Sequence, residues 1–402
     1  MTYLENKFIK IDIKSIYSSY IFILISLFPF QYLLKSAFHH NLILYDDLLV
    51  FSLIPFFILY LKKDLYLLFY FTFLFIYTIW NLFFNLNPYG ILGDMQWFVK
   101  PLVLIYGMIY LLENVYTKRL NQKLVKILLL LSFVGALYGL IQFFAWNLFA
   151  IWLPLADIKY IMSLNLLFGS DIPVGRVAGI WGHQNFCGLV SMVVTIYGII
   201  SKRYIYLLTG VFGLVISFSR WPIFLAFISF IFLSKNIKFS YLRKYSLSMM
   251  TVLIIVGVYF FNDINKVYGS VYDGYSQTPK MYGIMKTVEL LQLYPFGVGL
   301  GMYGTRFSAN SKIYNELNFR PQIQEMLLTA TSGIESMYAI LISQTGIVGF
   351  ILFVGIFLRH FLSNSNPVFK LKFLLILLLP IYYNLYFPSF LVYNLVLFNK
   401  NQ

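Results

Sequence analysis

Charge is what this sequence has least of. Only 11% of its 402 residues are Asp, Glu, Lys or Arg, and just 15 are acidic. A water-soluble domain of this size cannot cover its surface with so little polar material. Cysteine is nearly absent: Cys187 stands alone, which excludes an intrachain disulfide. The four histidines form no His/Cys/carboxylate cluster at metal-ligand spacing, so no metal and no bound cofactor is expected. No G-x-S-x-G nucleophile motif, internal repeat or low-complexity tract occurs. The first apolar run has no small-residue cleavage site after it and reads as a span, not a cleaved signal.

What is present is hydrophobic. Apolar residues make up 60% of the chain, aromatic residues 20%, and mean hydropathy is +0.77. Lipid offers no partner to backbone N–H and C=O groups, so apolar runs of about 17–25 residues read as membrane helices. Such runs fall at 16–34, 46–61, 65–84, 97–112, 124–146, 184–200, 204–218, 221–234, 246–262, 334–358 and 371–387. The tail "FPSFLVYNLVLF" is either a short twelfth helix or a re-entrant piece. The expected fold is an all-α polytopic bundle of about 11–12 transmembrane helices, one membrane domain over 1–402. It carries a large outward-facing loop at about 263–333.

The net charge of +15 would point to nucleic acid in a soluble protein. Its placement points elsewhere. The connections of one side hold 18 of the 30 basic residues, Lys62, Lys63, Lys118, Arg119, Lys202, Arg203, Lys370 and Lys372 among them. Outside the loop at 263–333, the connections of the other side hold Lys35, Lys100, Lys159, Arg176 and Arg220. Basic residues stay on the cytoplasmic side, so the N-terminus is expected inside and both long connections, about 147–183 and 263–333, outside. Nucleic acid is not needed to explain the charge.

Within the second long connection, "PKMYGIMKTVELLQLY" has helical spacing and is expected as a helix at the membrane surface. "PFGVGLGMYG" follows it and contains Gly299-x-Gly301-x-x-Gly304, the dinucleotide fingerprint. The context excludes that reading: the stretch lies in an outward loop, and no apolar strand precedes it within a βαβ unit. Its glycines permit either tight turns or close approach of backbone to a ligand.

The polar residues gather at outward helix ends. "GRVAGIWGHQNF" sets Arg176 in a loop and His183, Gln184 and Asn185 at a helix start. "SFSRWP" sets Arg220 in a tight turn, "GIESMY" sets Glu335 at another helix start, and Arg306 follows the glycines. Arginine pairs bidentately with phosphate, so two of them at the lipid boundary can hold a pyrophosphate leaving group. A carboxylate beside them can accept a proton from an attacking hydroxyl. Plainer roles stand beside these: Arg220 as a headgroup anchor or helix cap, Glu335 as a first-turn acid, His183 as a hydrogen-bonded structural residue, and Arg306 as a solvated charge. Asp46-Asp47 reads as a helix start. His39-His40 sits in a short outward loop with few partners.

In order, "GRVAGIWGHQNFCGL", "SFSRWPIFLAF", "PFGVGLGMYG" and "ESMYAILISQTGIVGF" resemble motifs of the O-antigen ligase/polymerase superfamily of bacterial membrane glycosyltransferases. The resemblance covers about residues 120–362. It implies a metal-independent enzyme that uses undecaprenyl-pyrophosphate-linked oligosaccharide, surrounded by membrane lipids, with a further protein setting chain length. Arg176, Arg220 and Glu335 take the catalytic positions. Asn185 falls at the motif asparagine, and His183, Arg306, Gly299, Gly301 and Tyr338 take substrate-binding positions. Ligases of the family carry a histidine where this chain has Glu335, so the resemblance favours the polymerase branch. A ligase remains the alternative, as does a flippase or transporter of lipid-linked sugars. A flippase would need ionisable residues along a path through mid-membrane, and the spans have few.

Overall fold

The computed structural model describes residues 13–30, 45–84, 88–149, 151, 153, 161–163, 173–175, 177–181, 183–217, 219–236, 278–304, 336–382 and 388–399. Within them the helices are α1 (Ile13–Leu27), α2 (Tyr45–Leu61), α3 (Leu65–Phe84), α4 (Pro88–Tyr110), α5 (Lys118–Phe149) and α6 (Gln184–Ser201). They continue with α7 (Tyr204–Ser217), α8 (Arg220–Asn236), α9 (Thr278–Leu293), α10 (Met337–Ser363), α11 (Pro367–Tyr382) and α12 (Pro388–Leu397).

The segments Leu65–Phe83, Gly90–Val115, Lys118–Trp146 and Met337–Ser363 are long and apolar enough to cross a membrane. Several others, including Asn185–Ser201 and Tyr204–Ser217, are shorter apolar helices. The expected span at 246–262 lies outside the described residues. The tail forms a helix, α12, whose residues are all buried.

Helix α3 turns large apolar side chains outward. In α3, Leu67, Tyr70, Leu74, Thr78 and Asn81 are buried, while Phe69, Phe75, Ile76, Trp80 and Phe83 are exposed. The inward stripe follows helical periodicity and includes the polar Thr78 and Asn81, while the outward face is mostly large and apolar. A helix facing water would have the opposite arrangement. Asn81 and Thr78 satisfy themselves on the preceding turn, donating to the carbonyls of Tyr77 and Leu74, both at 2.6 Å.

Helices α6 and α7 form a tight hairpin. Lys202 turns the chain with left-handed φ of 56°. Gly210 and Gly213 then face Thr195 and Ser191, so the two backbones approach as small-residue seams allow.

Helix α4 begins at Pro88, nine residues before the span expected from the sequence. The Pro-Tyr-Gly start reads as a loop, but proline is accepted in a first helical turn. Lys100 therefore lies inside a helix, not in an outward connection, and pairs with Asp47 of α2 at 2.5 Å. Asp47 does fall in the first turn of α2, and it also ties α2 to α4.

The first long connection departs from the all-α expectation. Ile161–Ser163 pairs antiparallel with Pro173–Gly175, a two-stranded ribbon that satisfies backbone groups where no helix does.

The α2–α3 turn holds a second polar cluster. Asp64 accepts from the Leu67 N–H at 3.1 Å and from Arg359 of α10 at 2.6 Å, with His360 Nε2 3.3 Å away. Burial pushes the Asp64 carboxyl up; the His360 contact, the Leu67 N–H and the Arg359 charge outweigh it and leave the group below its ordinary value.

Candidate functional site

Two non-helical segments enter the bundle. Buried irregular backbone must find partners for its N–H and C=O groups outside a helix, so each segment marks a place where distant elements are tied together.

The first is 177–181. Val177, Ala178, Ile180 and Trp181 are buried, and Gly179–Trp181 forms a single 3-10 turn. Two of its N–H groups donate to neighbouring helices. Gly179 N–H donates to Gln142 Oε1 of α5 at 2.9 Å, and Val177 N–H to the Ile216 carbonyl near the end of α7 at 3.3 Å. Gly179 has φ +59°, and a Cβ there would lie 2.7 Å from the Gly135 carbonyl, so this contact requires glycine. Trp181 packs edge-on against Tyr393 of α12, with ring centroids 5.4 Å apart.

The segment delivers His183 to the N-cap of α6. Its Nδ1 accepts the Asn185 N–H at 3.2 Å, capping the helix. Asn185 Oδ1 accepts the hydroxyl of Ser219 at 3.0 Å. Ser219 is fully buried and immediately precedes α8, whose first residue is Arg220. The starts of α6 and α8 are thus fastened side by side. The positive ends of two helix dipoles meet there, an environment suited to an anion.

The second segment is the glycine loop, 295–304. Gly297, Gly299, Gly301 and Gly304 all have positive φ. The loop seats against a break in α10, where Gly346 adopts φ 70°, ψ −172°. An unbroken helix would join the Ser343 and Gln344 carbonyls to N–H groups one turn on. Here Val298 N–H donates to Ser343 O at 2.8 Å and Gly299 N–H to Gln344 O at 3.0 Å, while Ile347 N–H turns to Pro295 O at 3.1 Å. The Tyr77 hydroxyl of α3 adds a bond to Gln344 O at 2.6 Å. The loop replaces the helix's own hydrogen bonds, and only glycine fits at the crossing: a Cβ on Gly346 would lie 2.6 Å from Phe296 Cα.

Beneath the loop lies Asp94 of α4, fully buried. Its Oδ2 accepts the Gly301 N–H at 3.0 Å and a short bond from Gln344 Nε2. Gln344 Nε2 also reaches the Tyr303 carbonyl at 2.6 Å.

Of the residues singled out from the sequence, the structure brings His183 and Asn185 together with the start of α8 at Arg220. Gly299 and Gly301 lie in the loop on α10. Tyr338 donates its hydroxyl to Leu377 of α11 at 2.7 Å and packs on Phe350, so that hydroxyl joins two helices. Arg176, Arg306 and Glu335 lie outside the described residues. Within the second long connection a helix forms as α9, and Thr287 meets Ser343 of α10 at 3.2 Å. Among the described residues no group of three metal-ligating side chains occurs.

Sequence reasoning missed Asp94, Gln344, Ser219 and Gln142. Asp94 had a usable signal, a carboxylate next to an apolar run, which is costly unless partnered. The others are polar side chains whose partners come from distant helices. No protein-family model and no curated protein matches this chain.

Proposed function

We propose that this chain is a polytopic glycosyltransferase of the cytoplasmic membrane, a polysaccharide polymerase acting on undecaprenyl-pyrophosphate-linked oligosaccharides at the outer face, with its N-terminus inside. The carrying observation is the double tie between the two arginine-bearing motifs. Val177, next to Arg176, bonds Ile216, four residues before Arg220, and Asn185 bonds Ser219, one residue before it. That supports two arginines serving one anion beside paired helix starts. The order of the four motifs, which resembles that of the ligase/polymerase superfamily, supports the same reading.

In this account a hydroxyl of the incoming repeat unit attacks C1 of the donor's reducing-end sugar. The C1–O bond to pyrophosphate breaks, and its electron pair leaves with the undecaprenyl pyrophosphate. Arg176 and Arg220 neutralise the charge that develops there, the step that fixed positive groups accelerate most. Glu335 receives the hydroxyl proton. The glycine loop, with Arg306 following it, shapes the pocket for the sugars.

The test is reconstitution. Purified protein in liposomes with lipid-linked repeat units should convert single units to a ladder of multiples. Elongation that survives removal of both arginines, or translocation of the lipid-linked unit with no elongation, would overturn the proposal.

A further inference from the structure

We propose that Asp94 is a positioning residue: with Gln344 it latches the glycine loop onto the break in α10, so that the loop after which the chain runs on to Arg306 and the helix that follows Glu335 are held as one unit. The latch stands on geometry alone; its part in glycan transfer rests on the function proposed above.

Two helices and the loop converge on this carboxylate. Asp94 comes from α4, Gln344 from α10, and the loop supplies the Gly301 N–H and the Tyr303 carbonyl. Asp94 and Gln344 are both fully buried. A carboxylate at this depth is costly unless hydrogen bonds compensate, so a purely apolar packing would have been the cheaper way to seat a loop. What the carboxylate adds is direction. One oxygen, Oδ2, takes donors from the loop and from α10 together, so neither moves without the other. Gly301 also rests on the first turn of α4, where a Cβ would lie 2.6 Å from the Gly90 carbonyl carbon. The last described residue of the loop is Gly304, two before Arg306 in the chain, and Ser336, which caps α10, is one after Glu335. Loop and helix, each leading to a candidate site residue, are thus referred to one carboxylate.

The alternative is that Asp94 merely stabilises the bundle. Two experiments separate these. Leu300 is fully buried between Gly299 and Gly301, so Leu300→Cys in a Cys187→Ser background reports on the latch through its maleimide labelling rate in the full-length protein. Asp94→Asn should raise that rate about tenfold, the lower end of what a hydrogen bond to a charged group supplies. Gln344→Leu should raise it similarly, and Asp94→Asn/Gln344→Leu should lie within about threefold of the larger single effect, since contacting residues couple. Unchanged labelling in folded Asp94→Asn protein, judged by its elution and melting, overturns the latch, and so do single effects that multiply in the double variant.

In the elongation assay, Asp94→Asn should lower turnover, and adding it to Arg306→Ala should cost no more than Arg306→Ala alone. Losses that multiply would show Asp94 acting by another route and overturn the positioning role. Wild-type protein that elongates nothing would sink the proposed function, while the labelling rates would still decide the latch.

Discussion

Gly346→Ala tests the broken helix most sharply. Gly346 has φ 70° and ψ −172°, a region that only glycine occupies at ease, and an alanine there stores about 1–3 kcal/mol of backbone strain. Its Cβ would also lie 2.6 Å from both Phe296 Cα and Pro295 O. These are main-chain atoms and cannot rotate away, so the loop must lift. Lifting it removes the bonds Val298–Ser343, Gly299–Gln344 and Ile347–Pro295, at about 0.5–1.5 kcal/mol each. The sum is roughly 4 kcal/mol. For a chain of this length that lowers the melting temperature in detergent by about 5 °C, taking the usual unfolding entropy per residue. Gly355→Ala is the control. It sits in the same helix with Tyr66 Cε1 4.0 Å from its Cβ position, ordinary contact, and alanine there should be neutral or stabilising by up to about 1 kcal/mol. Equal melting temperatures for the two variants would refute the claim that the loop and the break are one interlocked unit.

Other outcomes follow from the same structure. Arg220→Lys should reduce elongation at least about tenfold, because an ammonium cannot form the bidentate fork; near-normal glycan length would remove Arg220 from the pyrophosphate role. Asn185→Ala strands the buried Ser219 hydroxyl and should cost about 1–3 kcal/mol, whereas Asn185→Ala with Ser219→Ala should recover part of it; a thermal melt of the three variants decides. Asp64, held below its ordinary value of 3.8, contributes stability that is present above that value and lost as pH falls through the lowered one. Melting temperature should therefore drop below about pH 4 in the parent and lose that component in Asp64→Asn; identical acid profiles would show that the Arg359 pairing stabilises nothing.

Much of the helical layout was legible because spans of hydrocarbon length leave little ambiguity. Leu65–Phe84 coincides with the expected 65–84, and α6 differs from 184–200 by one residue. The start of α4 was not legible, because Pro88 and Gly90 punctuate a sequence whose helicity is decided by packing. That error hid Asp94 by placing it before the span. The glycine loop was expected to allow tight turns or close backbone approach, and Gly297, Gly299, Gly301 and Gly304 have positive φ. What those glycines approach was not readable, since the partners are the backbone of α10 and a side chain about 200 residues earlier in the chain. Local patterns report one helix at a time. Asn185–Ser219 and Asp94–Gln344 are fixed only when distant helices assemble.

The central claim is that this protein elongates a lipid-linked glycan. Its most direct test is the length distribution of surface glycan, read on a gel, from cells with and without the protein. The account predicts that deletion leaves single repeat units on their final acceptor, with the ladder restored by the wild-type gene and not by an Arg176→Ala/Arg220→Ala variant. Full-length polymer stranded on its lipid carrier, single units trapped on the cytoplasmic face, or an unchanged ladder would each contradict it.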